Sequence, residues 1–124
     1  MLPVVMCAGV LLADLARPVR PEEYRRVIGQ QVLLHEPMPS EVRAYYLAKG
    51  RVLAGFLRPG MTDGEVREVL GVRPSGWVQE EDQEGERWTH HYALLGLMVC
   101  YHVAAVAGER RTVLVVKGVE ATPP

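Results

Sequence analysis

Length, composition and charge predict a small globular domain and argue against two large classes of protein. The chain has 124 residues, of which 48% are hydrophobic and 23% are charged. This composition supplies enough core material to exclude an intrinsically disordered chain. Lys and Arg number 14 against 15 Asp and Glu, for a formal net charge of −1. The charge balance gives no argument for a nucleic-acid binder, and we predict no nucleic-acid partner, because binding phosphates needs a surplus of basic residues on one face.

The first 13 residues form an almost wholly apolar run, Met1–Ala13, that is shorter than the roughly 20 residues needed to cross a bilayer. The first basic residue, Arg17, follows this run, whereas a secretory signal places basic residues before it. Two interpretations stay open: part of a longer signal peptide, or a packed element that ends near Pro18. The first places the protein in the cell envelope or periplasm, the second in the cytoplasm. Cys7 lies too near the start for a lipidation site, and the pair Cys7 and Cys100 does not decide the compartment.

Two helices are predicted in the first half of the chain. One spans Arg20–Leu34, since Pro21 suits a first helical position and acidic residues follow it. A proline-containing linker follows at His35–Pro39. The second helix begins with Ser40 as its N-cap and runs to Leu57, with apolar residues at helical spacing.

The second predicted helix contains two glycines and three aromatic residues, and we predict a structural role for each group. Gly50 and Gly55 weaken a helix, so we expect them to mark close contact with a neighbouring element. Tyr45, Tyr46 and Phe56 are expected to pack in the core, with an interaction surface as the alternative.

A third, short helix is predicted within Met61–Gly71, MTDGEVREVLG. Thr62 and Glu65 are three residues apart, the spacing at which each side chain caps the backbone N–H of the other. Gly71 is placed to end the helix in a left-handed conformation. The segment is thus predicted to be tightly bounded at both ends.

Beyond Pro74 the pattern favours strands. The acidic tract Gln79–Glu86 lacks apolar residues and is predicted to be a solvated loop or hairpin tip, with a possible short strand around Trp77 before it. Three strands are predicted as an antiparallel meander. They are Arg87–Leu94, Leu97–Val106 and Arg111–Val119.

A two-residue turn near Leu95 and Gly96 sets the predicted register of the first two of these strands. It places Thr89, His91 and Ala93 opposite His102, Cys100 and Met98, and Trp88, His90 and Tyr92 opposite Val103, Tyr101 and Val99. The second set is predicted to face the core.

Three constellations could carry chemistry, and each has a plainer interpretation. His91, Cys100 and His102 could converge as zinc ligands, but a fourth ligand is missing, and a Cys–His nucleophile would lack an oxyanion turn and an orienting carboxylate. Glu80, Asp82 and Glu84 could bind calcium, although a solvated charged tract is favoured. We therefore assign no catalytic, cofactor or metal residues from the sequence and predict a protein without enzymatic activity.

The string Arg58–Gly71, RPGMTDGEVREVLG, followed by Trp88 and apolar strands, resembles the SmpA/OmlA domain family, which includes BamE-like lipoproteins of the bacterial envelope. The shared positions are the Gly60–Thr62 turn, the Glu65 and Val66 pair, and the Leu70 and Gly71 ending. The resemblance covers roughly Arg51–Val119 and implies two helices packed on a three-stranded antiparallel sheet. The matched residues are architectural, so the resemblance implies a fold and carries no reaction.

We therefore predict an α+β fold with two or three helices on one face of a three-stranded antiparallel sheet. Residues 1–39 form an N-terminal apolar segment and helix, signal-like or an extension, and residues 40–124 form the BamE-like domain. The leading function is a protein-interaction or scaffold module associated with the cell envelope, with an unidentified protein partner. The alternative is a small-ligand or metal-binding domain that uses the open sheet face. Membrane association and oligomeric state are left open.

Overall fold

A computed structural model describes residues 13–34, 37–106, 108–109 and 111–124. The predictions for residues 1–12, including Cys7, and for residues 35–36 lie outside these ranges. After a helical turn at 13–16, the elements follow in chain order. They are α1 (Pro21–Leu34), α2 (Ser40–Ala54), α3 (Asp63–Leu70), β1 (Gly76–Asp82), β2 (Gly85–Tyr92), β3 (Leu97–Ala105) and β4 (Thr112–Ala121).

The predicted α+β class is confirmed, but the predicted number of strands is wrong. The sheet has four antiparallel strands in the order β1-β2-β3-β4. The extra strand is β1, which includes the short strand considered around Trp77 and continues through residues 79–82 of the tract predicted as a loop or hairpin tip. Only Gln83 and Glu84 form the turn. All of β1 after Gly76 is exposed. A lack of apolar residues correctly indicated exposure, but exposure does not prevent backbone pairing at the edge of a sheet.

The predicted core face of β2 is confirmed, although its predicted register is displaced by two residues. A turn of four residues, 93–96, joins β2 to β3 in place of the predicted two. Because side chains alternate with period two, a shift of two residues changes the partners and keeps the face. The core-facing pairs are Trp88 with Tyr101, His90 with Val99, and Tyr92 with Leu97.

The core lies between the sheet and the helices, with α2 and α3 packed against the β3 and β4 half. Leu53 of α2 and Val66 of α3 are fully buried there, together with Val99 and Tyr101 of β3. Helix α2 ends at Ala54, earlier than predicted. The predicted N-cap at Ser40 is wrong, because Pro39 holds that position and no side chain caps the helix. Among the described residues, no helix is long and apolar enough to span a bilayer.

The predicted capping at the N-terminus of helix α3 and its predicted glycine end are both confirmed. Thr62 Oγ1 accepts the Glu65 N–H at 3.2 Å, and Glu65 Oε1 accepts the Thr62 N–H at 3.2 Å, which completes the capping box. Gly71 ends the helix at φ 78°. A β-carbon on Gly71 would lie 2.1 Å from the Val19 carbonyl oxygen, so the close packing of the N-terminal segment also requires glycine here.

Polar contacts tie the segment before α1 and the first turn of α1 to helix α2. Glu23 Oε2 accepts the Tyr46 hydroxyl at 2.7 Å, and its Oε1 accepts from Arg17 Nη1 at 3.1 Å. Lys49 is fully buried and its Nζ donates to the Asp14 carbonyl at 2.7 Å. Burial lowers the pKa of Lys49, aided by the nearby Arg17 charge. We name these residues the N-terminal clamp: Asp14, Arg17, Glu23, Tyr45, Tyr46 and Lys49.

Candidate interaction surface

The two edges of the sheet differ in how their backbone groups are used. At β4, the Gly60 N–H donates to the Val116 carbonyl at 3.0 Å, and the Val116 N–H donates to the Met61 carbonyl at 2.8 Å. Thr62 forms an isolated bridge to Val115 beside them. The turn that precedes α3 therefore covers the middle of the β4 edge.

At the other edge, β1 pairs with β2 and with no other strand of the described chain. An edge strand presents unpaired N–H and C=O groups at alternate residues, and these can pair with an added strand. Proteins commonly protect such an edge with charged side chains or a covering segment. Here the second half of β1 is acidic, whereas Trp77 and Val78 in its first half are large and apolar.

Trp77 and Val78 are among the most exposed large apolar side chains of the structure, at 63% and 48%. They lie on opposite faces of β1, because successive residues of a strand alternate. Trp77 is opposite His90 and Val78 is opposite Thr89. An added strand would therefore bury one of the two side chains on each face of the sheet.

The helix-side face of β1 and β2 is only partly covered, since the helices pack against the other half of the sheet. We name the patch made by Trp77, Gln79, Trp88 and His90 the shelf. Trp88 and His90 are half-buried, whereas Trp77 and Gln79 are exposed. Burial lowers the pKa of His90 from its ordinary value and so disfavours the charged imidazolium. The shelf therefore presents three aromatic rings on the helix-side face of the sheet.

The carboxylates of β1 fall into two groups that match the two faces of the strand. On the open face, away from the helices, Arg87 contacts Glu80 at 2.7 Å and Asp82 at 3.6 Å. On the helix side, Glu81 lies directly opposite Glu86. Like charges in this position repel one another. Glu86 Oε1 accepts from Trp88 Nε1 at 3.0 Å and also from Gln79, whereas Glu81 has no ion pair with any described residue.

The structure does not assemble the zinc set that the sequence suggests. His91, Cys100 and His102 share the open face, but their partners across the β2–β3 pair are Met98, Thr89 and Arg87. The displaced register therefore separates Cys100 from the predicted position opposite His91. In the part of the chain that the structure describes, no three His, Cys, Asp or Glu residues are grouped so as to hold a metal ion.

The acidic residues considered for calcium have cationic partners within the chain. Glu80 and Asp82 contact Arg87, as described above, and Lys117 Nζ lies 3.1 Å from Glu84 Oε2. A calcium ion would have to displace these cations, since calcium needs six or more oxygen ligands. The surface ion pairs are the simpler account of this tract.

The open face also has a shallow concavity of about 390 Å³ between β2, β3 and β4. Arg87, Thr89, Met98, Cys100 and Glu120 contribute to its lining. The Arg87 guanidinium, the cation in this lining, is already held by the carboxylates of β1. The concavity therefore lacks a free positive group that would select an anionic ligand.

Of the three aromatic residues considered on the second helix, two are internal. Tyr46 is buried and packs edge-to-face with Tyr45 at a centroid distance of 5.0 Å. The Tyr45 hydroxyl donates to Asp14 within the N-terminal clamp. Phe56 lies just beyond α2 and is 52% exposed. The close contact predicted at Gly50 is present, because a β-carbon there would lie 1.9 Å from the Leu95 carbonyl oxygen.

Sequence reasoning missed two features: the extent of the strand that carries Trp77, and the burial of Lys49. Trp77 was assigned at most to a short strand, and the acidic residues after it form no alternating pattern that would have extended that strand. The burial of Lys49 was not predicted, because nothing in the local sequence identifies this charged residue as buried. Its partner Asp14 is 35 residues away in sequence.

No match to this chain was found among family models, curated proteins or solved structures. The resemblance to the SmpA/OmlA family therefore stays a prediction carried by the residues of the α3 segment. Those residues have clear structural roles: Gly60–Thr62 cover the β4 edge, Glu65 completes the cap, and Gly71 admits the N-terminal segment.

Proposed function

We propose that this chain is a non-enzymatic protein-interaction module that binds a protein partner along the outer edge of β1. The observation that carries the proposal is the contrast between the two sheet edges. The β4 edge is covered by the chain's own Gly60–Thr62 turn, whereas β1 ends the sheet and exposes Trp77 and Val78. Addition of a strand to an exposed edge is a recurring mode of peptide recognition.

The proposal includes kinship with the SmpA/OmlA family and a place in the bacterial cell envelope. The α3 motif and the helix–strand order support the kinship, although β1 adds a strand to the expected three. The absence of enzymatic activity is supported by the surroundings of Cys100. The residue opposite this thiol in β2 is Thr89, and neither histidine of the open face is opposite it.

The test is affinity capture from cells that make this chain, followed by direct binding of the purified candidate partner. The edge variant Trp77→Ser with Val78→Thr removes the exposed apolar pair, and threonine keeps the β-branched shape of valine at position 78. Phe56→Ser is the matched control, because it removes an exposed aromatic side chain away from β1. We expect a polypeptide that binds wild type and the control and is lost from the edge variant. If every captured polypeptide binds all three proteins equally, the proposal is wrong.

A further inference from the structure

The occupant of the β1 edge can be described more closely from the charges and apolar groups along β1, and this inference rests on the function proposed above. We propose that the partner supplies an extended segment with Lys or Arg side chains on one face and β-branched apolar side chains on the other. This segment pairs with β1 as a fifth strand, with its basic face on the helix side of the sheet.

The carboxylates on the two faces of β1 differ in their ion pairs, and this difference indicates which way the basic face of the partner segment points. Glu80 and Asp82 on the open face are already held by Arg87, so a cation added there would gain little. Glu81 on the helix side lies opposite Glu86 and has no basic partner among the described residues. A Lys or Arg beside Glu81 would relieve this repulsion and form an ion pair.

The shelf supports the same orientation. Trp77 lies two pairs along the same face from Glu81, with Gln79 between them. A strand with basic residues at alternate positions would place one beside Glu81 and another over the exposed Trp77 ring. A cation over an indole face is attracted to it, and tryptophan is the strongest partner of this kind.

On the open face of the sheet, the added strand is expected to carry apolar side chains. Val78 is 48% exposed there and lies opposite Thr89, whose methyl group extends the apolar surface. The charged groups farther along this face, Glu80 and Arg87, are paired with each other. Valine, isoleucine or threonine at the intervening positions of the added strand would cover Val78 and suit the strand conformation.

A second copy of this chain is a poorer occupant of the same edge. Within its bounds β1 contains Glu80, Glu81 and Asp82 and neither Lys nor Arg. Pairing of two copies would bring two acidic strands together and supply no new cation from either strand. Self-pairing would therefore leave Glu81 without a cationic partner.

The test uses a capped peptide of alternating Lys and Val, about eight residues long to match the typical length of a strand. Three peptides serve as controls: Glu–Val with reversed charge, Ser–Val without charge, and Lys–Val with every backbone amide N-methylated, which keeps the charge but cannot donate backbone hydrogen bonds. Binding to the full chain is followed by calorimetry and by tryptophan fluorescence. We expect Lys–Val to bind most tightly and the N-methylated peptide not to bind.

Protein variants then locate the contacts. Trp77→Ala is expected to weaken Lys–Val binding by about tenfold or more, and Glu81→Gln by up to about fivefold. Glu68→Gln, the same change on the exposed surface of α3, is expected to have no effect. Loss of binding in Trp77→Ala with unchanged circular dichroism and unfolding midpoint would support a direct contact.

Two results would overturn the inference. If Lys–Val binds no more tightly than Glu–Val, or if Glu81→Gln and Glu68→Gln behave alike, a basic segment is not selected at this edge. A dimer in sedimentation that dissociates in Trp77→Ala would make a second copy the occupant. In either case, a protein captured through Trp77 and Val78 in the earlier test would leave the interaction function standing.

Discussion

The carbonyl oxygen of Leu95 lies 1.9 Å from the point where a β-carbon on Gly50 would be placed. The turn between β2 and β3 therefore rests directly on the backbone of α2. This contact sets the distance between the helix and the sheet, because any larger residue at position 50 would push the two apart.

The first prediction concerns this contact. Gly50→Ala is expected to lower the free energy of unfolding by about 2 kcal/mol, since overpacking outweighs the gain in helix propensity. Gly29→Ala in α1 is the matched control, because a β-carbon there meets nothing within 4 Å. We expect the control to stabilise by about 0.5–1 kcal/mol. Urea unfolding of both variants measures the difference, and similar effects of the two changes would contradict the account.

The capping box gives the second prediction. Thr62→Ala removes the acceptor of the Glu65 N–H and is expected to cost about 1 kcal/mol. Ser40→Ala changes a serine at the start of α2 that makes no capping hydrogen bond. That variant should be within about 0.5 kcal/mol of wild type. The assignment fails if Thr62→Ala leaves the denaturation midpoint unchanged.

The N-terminal clamp predicts a dependence of stability on acid pH. Burial alone would raise the pKa of Glu23, but hydrogen bonds from Tyr46, Arg17 and the Arg20 backbone N–H outweigh burial and lower it below 4.5. A lowered folded pKa stabilises the protein above the unfolded pKa, and this contribution is lost as the pH falls through the folded value. Stability should therefore fall as the pH decreases below about 4.5.

Variants at neighbouring positions isolate this effect. Glu23→Gln is expected to destabilise at pH 7 and to reduce the fall in stability between about pH 5 and pH 3. Glu22→Gln changes an exposed side chain in the same helical turn and should keep the wild-type pH dependence. Unfolding midpoints across this pH range provide the measurement. A Glu23→Gln protein with the wild-type slope would show that the clamp does not hold this carboxylate.

A zinc titration separates the interaction module from the metal-binding alternative. Since His91, Cys100 and His102 have different cross-strand partners, we expect Cys100→Ser to leave zinc binding unchanged. Competition with a chromophoric chelator measures the stoichiometry for both proteins. One equivalent of zinc bound by wild type and lost in Cys100→Ser would establish the metal site and count against the separation of these residues.

The features predicted correctly from sequence are mostly local ones. The cap formed by Thr62 and Glu65 depends on residues three apart, and the left-handed Gly71 depends on the end of the same helix. The core face of β2 was also predictable, because the alternation of Trp88, His90 and Tyr92 does not depend on which residues they pair with.

The features that escaped prediction depend on distant parts of the chain. The register between β2 and β3 depends on the length of a turn that packs against Gly50, and the burial of Lys49 depends on a segment 35 residues away. The acidic composition of β1 concealed a strand, since charged residues tolerate an exposed edge as readily as a loop. The candidate surface at Trp77 could be recognised only once β1 was placed at the end of the sheet.

Amide hydrogen exchange along β1, measured by NMR with and without the Lys–Val peptide, tests the central claim most directly. In the free protein, alternate amides between Gly76 and Asp82 should exchange rapidly, while the Val116 amide, bonded to Met61, should be protected. Addition of the peptide should protect the fast amides of β1 and leave Val116 unchanged. If every amide of β1 is already protected in the free protein, or if the peptide protects none of them, β1 is not an edge that accepts a strand.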